Sequence, residues 1–362
     1  MPTLFDPIQL GAIAAPNRII MAPLTRGRAT RAHVPTELMI DYYRQRASAG
    51  LIITEATGIS QEGLGWPYAP GLWSDAQVEA WKPITDAVHE AGGRIVVQLW
   101  HMGRQVHSSV IGGQPVSSSA TATAGQAHTY EGKQDFETAR PLGLDEIPRL
   151  LEDYRLAGAN ALKAGFDGVQ LHSANGYLID QFLRNNANFR DDSYGGSVEN
   201  RIRLLGEVTQ ALVDVVGADR TGVRLSPNGN SQGVDDSDPV PLFTAAAAKL
   251  DAIGIAFLEL REPGPDGTFG NTEVPKISPD IRKVFKAPLI LNSDFTAEKS
   301  QDALDDGVAD AIAFGRPFIS NPDLVRRLRE QLPLTPDVAP TWYSQGPVGY
   351  TDYPFAEETV AA

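Results

Sequence analysis

The chain has 362 residues, of which 42% are hydrophobic and 21% charged, and no linker or low-complexity run divides it. A net charge of −14 argues against a nucleic acid partner, and no apolar run approaches the roughly 20 residues that cross a membrane. The lack of cysteine excludes disulfides, thiolate metal sites and cysteine nucleophiles. Since no signal peptide pattern opens the sequence, we expect a cytoplasmic protein, and nothing in the sequence indicates a protein partner.

Short β-branched runs recur along the chain and predict eight strands. In chain order they are RIIMAPLT from Arg18, GLIITEATGI from Gly50, RIVVQLWH from Arg94, FDGVQLHS from Phe166, RTGVRLSP from Arg220, IAFLELRE from Ile255, APLILNSD from Ala287 and DAIAFGRP from Asp310. Runs that are buried on both faces and alternate with helices are typical of a parallel sheet. We therefore predict one (β/α)₈ TIM barrel over residues 1–362, with an open doubly wound sheet as the alternative.

Three segments between these runs have helical spacing. The segment from Ser74 begins with a candidate N-cap and ends at Gly92. The segment from Asn321 begins with a candidate Asn N-cap and has Pro at the first helical position. The segment from Ser197 carries one apolar stripe, formed by Ile202, Leu205, Val208, Leu212 and Val215.

One connection is much longer than the others. Residues 105–144, from Gln105 to Leu144, are rich in Ser, Thr, Gly and Ala. Ordinary strand-to-helix connections are only a few residues long, so this segment predicts an insertion that caps the barrel mouth.

Polar side chains follow the predicted strands at their carboxyl ends, where TIM barrels form their active sites. They are Thr25, Arg26, Glu55, Gln98, Trp100, His101, His172, Asn175, Tyr177, Arg224, Glu259, Glu262, Ser293, Asp294, Gly315 and Arg316. A barrel needs no arginine or imidazole there for stability, so their convergence predicts a functional site. The loops after strands 7 and 8 often bind a phosphate, and Ser293, Gly315 and Arg316 suit that role.

Other kinds of site are less well supported. His101 and His107 lie six residues apart with no third ligand at a suitable spacing, so no metal site is expected. A glycoside hydrolase would place two carboxylates at strand ends, with Glu55, Glu259 and Glu262 as candidates. The sequence contains neither a Rossmann fingerprint nor a P-loop.

Seven blocks of the sequence, in order, resemble the Old Yellow Enzyme family of FMN-dependent ene-reductases. They are LFDPIQLGAIAAPNRIIMAPLTR, YYRQRASAGLIITEATGIS, GWPYAPGLWSDAQVEAWKPI, VVQLWHMGR, HSANGYLIDQFLRNNANFRDDSYGGSVENR, AFGRPFISNPDL and GYTDYPF. The similarity is greatest to the bacterial branch that includes N-ethylmaleimide and pentaerythritol tetranitrate reductases. It implies non-covalent FMN at the barrel mouth, NAD(P)H as reductant, and activated alkenes as substrates.

The resemblance also implies roles for individual residues. The flavin ring would contact Pro23, Thr25, Ala56, Gln98 and Arg224, and the phosphate would contact Ser293, Gly315 and Arg316. His172 and Asn175 would bind the activating oxygen of the alkene, and Tyr177 would donate a proton. The pocket would be lined by Tyr68, Trp100 and Tyr350.

The sequence departs from the family pattern in two places. Many relatives have a second histidine where this chain has Asn175, and many have a glycine-rich segment where this chain has NSDF after strand 7. The family's thermophilic-like branch commonly has Cys where this chain has Thr25, so the cysteine-free chain does not fit that branch. A non-catalytic flavin-binding protein is the remaining alternative to an ene-reductase.

Overall fold

The computed structural model describes residues 1–357. Within that range, eight parallel strands close into a barrel. The strands are β1 (Ile19–Met21), β2 (Leu51–Gly58), β3 (Ile95–Trp100), β4 (Gly168–His172), β5 (Thr221–Leu225), β6 (Phe257–Arg261), β7 (Leu289–Asn292) and β8 (Ala311–Phe314). Their spatial order around the barrel is β4–β5–β6–β7–β8–β1–β2–β3. Each lies inside one of the predicted runs. The predicted (β/α)₈ barrel is confirmed, and the open doubly wound sheet is wrong.

A helix follows each barrel strand. These helices are α1 (Glu37–Gln45), α2 (Asp75–Glu90), α3 (Ile147–Lys163), α4 (Arg203–Val216), α5 (Pro239–Ile253), α6 (Ser278–Val284), α7 (Ala297–Asp305) and α8 (Leu324–Glu330). Shorter helices span Ser108–Ile111, Leu178–Leu183, Val198–Arg201 and Arg316–Ser320. The predicted N-cap of α2 is confirmed, because Ser74 Oγ accepts from the Gln77 amide at 3.4 Å and Gln77 Oε1 accepts from the Ser74 amide.

Two helix predictions differ from the structure. The segment from Ser197 forms two helices, since the first ends at Arg201, with Ile202 as its C-cap, and α4 begins at Arg203. Asn321 is not an N-cap, since α8 begins three residues later, after Asp323. The Asn321 side chain instead joins two separate segments, donating to the Pro317 carbonyl at 2.9 Å and accepting from the Thr335 amide at 2.8 Å. Those bonds explain why the local capping pattern fails.

Alternation along the strands builds two apolar layers. One layer lies between strands and helices and includes Ile19, Ile52 and Leu289. The other fills the lower barrel interior and includes Ile20, Leu51 and Ile290. A hairpin formed by Ile8–Leu10 and Ile13–Ala15 packs into this inner layer and closes the barrel at its amino-terminal end.

Residues 105–144 form small structures of their own. Val116–Ser117 pairs with Arg140–Pro141, and Gln126–Thr129 forms a hairpin with Gly132–Asp135. His128, in this hairpin, packs against Trp66 with tilted rings whose centroids are 4.6 Å apart. Among residues 1–357, no helix combines the length and apolar character that a membrane crossing requires.

Candidate active site

A cavity of about 890 Å³ opens at the carboxyl ends of the barrel strands. Its volume and position are typical of an active site in this fold. Most of the predicted site residues line it. They are Pro23, Thr25, Ala56, Gln98, Trp100, His172, Asn175, Tyr177, Arg224, Ser293, Gly315 and Arg316.

Tyr68 and Tyr350, which the resemblance predicts as pocket residues, are not among the residues that line this cavity. Tyr350 is fully buried behind the barrel wall, where its ring stacks on Tyr42 at 4.1 Å. Tyr68 packs edge-on against Tyr130 in the insertion, with ring centroids 5.3 Å apart. Trp66 and Tyr343 are among the other aromatic residues that line the cavity.

A chain of buried polar side chains crosses the barrel interior beneath the cavity. Gln98 Nε2 donates to Gln170 at 2.7 Å, and Gln170 Nε2 donates to Glu259 at 2.8 Å. Arg224 lies beside Glu259, with Nε 3.4 Å from Oε1, and its Nη2 donates to Asn292 at 3.0 Å. Burial raises the pKa of Glu259, while the Arg224 charge opposes that rise. These side-chain contacts fix Gln98 and Arg224 at the cavity floor.

Arg224 is the cation of this floor. Its Nε and Glu259 Oε1 form no aligned hydrogen bond with any described residue. A guanidinium held in a shielded site with unused donor capacity is suited to stabilise an anionic ligand above it.

The turn between β4 and the next helix depends on two residues with positive φ. Asn175 has φ 58° and Gly176 has φ 80°. Asn tolerates this left-handed region better than most residues, and a Cβ at Gly176 would lie 2.5 Å from the Ser231 carbonyl oxygen. The Asn175 amide donates to Ser226 Oγ at 2.8 Å, and its side-chain Oδ1 has no hydrogen-bond partner among the described residues.

A buried ion pair supports this turn from below. Asp180 and Arg184 are both fully buried and lie 2.8 Å apart, one helical turn from each other. Asp180 Oδ2 accepts from the Gly176 amide at 2.9 Å, and Arg184 donates to the carbonyls of Ser226 and Gly229. The pair therefore ties the turn after β4 to the loop after β5.

The backbone selects the tautomer of His172. The Ala174 amide donates to His172 Nδ1 at 3.3 Å, so Nδ1 is an acceptor and the proton resides on Nε2. Burial, aided by the charges of Arg224 and Arg261, lowers the pKa of His172 well below its usual value. His172 is therefore a neutral imidazole at neutral pH and offers one N–H donor.

Tyr177 is held by two aromatic neighbours. Its ring meets the rings of Trp100 and His172 edge-on, each with a centroid distance of 4.9 Å. Burial raises the pKa of Tyr177 to about 12, although the Gln232 side chain acts in the opposite direction. The phenol is therefore fully protonated at neutral pH. Tyr177 also lines a smaller cavity of about 270 Å³ beneath the insertion.

The loops after β7 and β8 lie together at one side of the large cavity. Arg316 pairs with Asp337 at 3.1 Å, and Asp337 also accepts from Trp342 Nε1 at 2.8 Å. Ser293 has φ 114° and Asp294 has φ 51°, conformations that glycine adopts with less strain. The residues predicted for a phosphate site are thus adjacent, with a strained backbone on one side and a guanidinium on the other.

The glycosidase alternative has no support in the geometry. Glu55, Glu259 and Glu262 are all buried, and none of the three lines the cavity. Glu55 accepts from the amides of Arg26 and Gly27, and burial raises its pKa. No group of His, Asp and Glu side chains suited to a metal ion occurs within residues 1–357.

Sequence reasoning missed four residues that shape the site. Gln170 lies two positions before His172 on β4, so period-two alternation alone could have placed it on the same face. Trp66, Asp337 and Tyr343 lie on loops, and no local pattern predicts which loop residues reach a cavity.

The closed barrel, the polar strand ends and the cavity above them define a TIM-barrel enzyme that binds a cofactor. A family model described as the NADH:flavin oxidoreductase / NADH oxidase family matches residues 3–335. A match over most of the chain shows that this protein belongs to that family. The resemblance to Old Yellow Enzymes is confirmed.

Solved structures and curated relatives agree with this assignment. An Old Yellow Enzyme homologue from Zymomonas mobilis is 66% identical, with a TM-score of 0.97 over 98% of this chain and 99% of the other. Morphinone reductase in complex with tetrahydroNAD is 44% identical, with a TM-score of 0.93 over 100% of both chains. Chanoclavine-I aldehyde reductase of Penicillium roqueforti is 44% identical over 99% of this chain and 98% of its own length.

The protein is thus an FMN-dependent NAD(P)H oxidoreductase of Old Yellow Enzyme type, which reduces activated carbon–carbon double bonds. The cavity suits FMN in both size and chemistry. Gln98 and Arg224 offer donors at its floor, and Arg316 offers a cation at one side. His172, Asn175 and Tyr177 line the same cavity and leave polar groups for a second molecule.

Proposed function

We propose that the cavity divides into a cofactor region and a substrate region. In the cofactor region, Pro23, Thr25, Ala56, Gln98 and Arg224 contact the isoalloxazine ring, and Ser293, Gly315 and Arg316 hold the phosphate. Gln98 and Arg224 belong to one buried network of side-chain hydrogen bonds, and this supports the division. A rigid floor of this kind can hold a flat ring without reorganisation.

In the substrate region, His172 and Asn175 bind the oxygen of an α,β-unsaturated carbonyl compound or a nitroalkene. His172 donates through Nε2–H, and Asn175 donates through the Nδ2 of its side chain. Two donors aimed at one oxygen withdraw electron density from the double bond, so the β-carbon accepts hydride more readily. Because His172 is neutral, it stabilises the developing negative charge without losing its own proton.

Tyr177 supplies the proton that completes the reduction. When bound, reduced FMN supplies hydride to the β-carbon. The α-carbon must then gain a proton, and the Tyr177 phenol is the protonated group beside the oxygen-binding pair. One hydride and one proton saturate the double bond. The phenolate that remains regains its proton from solvent before the next turnover.

One observation carries the proposal: a neutral imidazole, a carboxamide and a phenol converge on the cavity whose floor includes Arg224. The test uses purified protein under anaerobic conditions. NADH or NADPH should bleach the visible absorbance of bound flavin, and an enone or nitroalkene should restore it. Protein without a flavin chromophore, or reduced protein that such alkenes leave reduced, would contradict the proposed function.

A further inference from the structure

Arg261 is a third guanidinium in the large cavity, besides Arg224 and Arg316, and the proposed reduction does not use it. It is the last residue of β6 and follows Glu259 by two positions, so both side chains lie on the inner face of the barrel. Arg261 lines the cavity together with Arg224 from the neighbouring strand. Its guanidinium lies 5.6 Å from the ring centroid of Phe269 and donates to the Phe269 carbonyl.

The charge of Arg261 has no close partner. Within residues 1–357, no carboxylate oxygen lies within 4.0 Å of its guanidinium, whereas Arg224 has Glu259 beside it. The negative charge of Asp294 raises the pKa of Arg261 from a distance. The Asp294 carboxylate itself accepts hydrogen bonds from the amide and hydroxyl of Thr268. Arg261 is partly buried, and a charge in such a site is normally paired. Its guanidinium therefore has donor capacity available for an anionic group that enters the cavity.

Arg261 keeps its proton despite this environment. Burial, together with the Arg224 charge, lowers the pKa of Arg261 to about 10, which is still well above neutral pH. The Arg261 charge also acts on His172 and Tyr177, so it lies close enough to influence whatever occupies the substrate region. The cavity lining continues outward from Arg261 through exposed Phe269 to Trp342 and Tyr343.

We propose that Arg261 binds an anionic oxygen group of the molecule that enters the substrate region. That group is either a carboxylate on the alkene or the diphosphate of the nicotinamide coenzyme, because both molecules use this region in turn. The phosphate of FMN is assigned to Arg316, in the loop after β8. The inference rests on the proposed function, since it presumes that alkene and coenzyme share the cavity.

The experiment compares Arg261→Gln and Arg261→Lys with the parent, using pairs of ligands in which one member carries an anionic group and the other does not. NADH is paired with N-benzyl-1,4-dihydronicotinamide, which lacks the diphosphate, and monoethyl fumarate with diethyl fumarate. FMN is paired with riboflavin. Arg155→Gln is the control variant, because Arg155 pairs with Asp214 outside the cavity. Stopped-flow absorbance gives the apparent affinity for each reductant and each alkene.

Arg261→Gln should lower the apparent affinity for the anionic member of one reductant or alkene pair by about tenfold or more, with little change for its neutral partner. Arg261→Lys should recover much of the loss. Which pair responds identifies the anion. Equal shifts in both members of every pair, no shift at all, or a change confined to FMN against riboflavin would overturn the inference. A parent protein without flavin would instead refute the proposed function.

Discussion

The floor and the rim of the cavity are built by different physical means. The floor consists of side chains on barrel strands, namely Gln98, Gln170, Glu259, Arg224 and Asn292, which bond to one another across neighbouring strands. The rim consists of Trp66, Tyr343, Trp342 and Phe269 on loops and His128 in the hairpin of the insertion. Their rings pack against one another at tilted or edge-on angles. Strand register therefore fixes the floor, and contacts between distant parts of the chain fix the rim.

Two buried arginines after β1 hold the part of the rim that lies near the carboxyl end of the chain. Arg26 donates to the carbonyls of Trp342 and Gly349 at 3.0 and 2.7 Å. Arg28 donates to the carbonyls of Thr341, Trp342 and Val348 at 2.9, 2.7 and 3.2 Å. These bonds place Trp342 and Tyr343 against the cavity. The comparison predicts that floor variants alter cofactor binding and stability, and that rim variants alter substrate binding.

The largest expected effect belongs to neither region but to Tyr177, which lies between them. Tyr177→Phe should slow alkene-driven flavin reoxidation by a factor of about 10²–10⁴, because it removes the general acid. Flavin reduction by NAD(P)H involves no protonation of the alkene and should change little. Stopped-flow measurement of both half-reactions separates the two steps. Equal slowing of both would show that Tyr177 only shapes the pocket.

In the floor, Glu259→Leu should destabilise the protein by about 3–5 kcal/mol, because Arg224 would be left as a buried charge without its partner. Glu259→Gln keeps an acceptor for Gln170 and should cost less. Urea unfolding gives the free energies of unfolding, and retention of FMN on dilution reports the state of the floor. Exposed Glu152→Leu is the control. If both Glu259 variants are as stable as the parent, Glu259 does not compensate the Arg224 charge in the floor.

In the rim, Arg28→Met should cost about 2 kcal/mol of stability, since it removes charged donors from several partly buried carbonyls. It should also raise the KM for alkenes several-fold while FMN retention stays close to that of the parent. Arg44→Met, which removes an exposed pair with Asp41, serves as the comparison variant. If Arg28→Met instead releases FMN and leaves the alkene KM unchanged, floor and rim are not separable.

The pH dependence of the alkene step should be small between about pH 6.5 and 9. The pKa of His172 is lowered, so the imidazole gains a proton only when the pH falls well below 6.5, and the pKa of Tyr177 is raised to about 12. By linkage, the unfolded chain takes up the His172 proton first, so stability should be lost as the pH falls below about 6.5. A rate that changes tenfold across pH 6.5–9 would mean that one of the two groups titrates there.

The smallest effect is expected at Ser293, where the β7 strand end meets the rim. Its φ of 114° is a strained conformation for any residue except glycine. Ser293→Gly should relieve strain of about 1 kcal/mol, partly offset by the greater entropy of the unfolded glycine chain. Thermal unfolding should therefore show a melting temperature equal to or slightly above that of the parent. A clear decrease would show that the Ser293 side chain is needed there.

The difference between the floor and the rim also explains which parts of the structure could be predicted from the sequence. All eight strands were predicted, because period-two alternation and burial are local signals that survive in the fold. The predicted pocket aromatics Tyr68 and Tyr350 are not among the residues that line the cavity, whereas Trp66 and Tyr343, two and seven positions away in the chain, do line it. Arg26 and Arg28 bond to residues more than 300 positions distant. No local pattern encodes such bonds, so the rim could not be derived.

The central claim is that His172 and Asn175 receive the oxygen of the substrate above a flavin held by the floor. Binding of a para-substituted phenol tests it, because a phenolate oxygen mimics the enolate and a phenolate stacked on oxidised flavin gives a long-wavelength charge-transfer band. In the double variant His172→Ala/Asn175→Ala, the band and the affinity should be lost while FMN occupancy stays at the level of the parent. A band of unchanged intensity and affinity would place the anion elsewhere and contradict the claim.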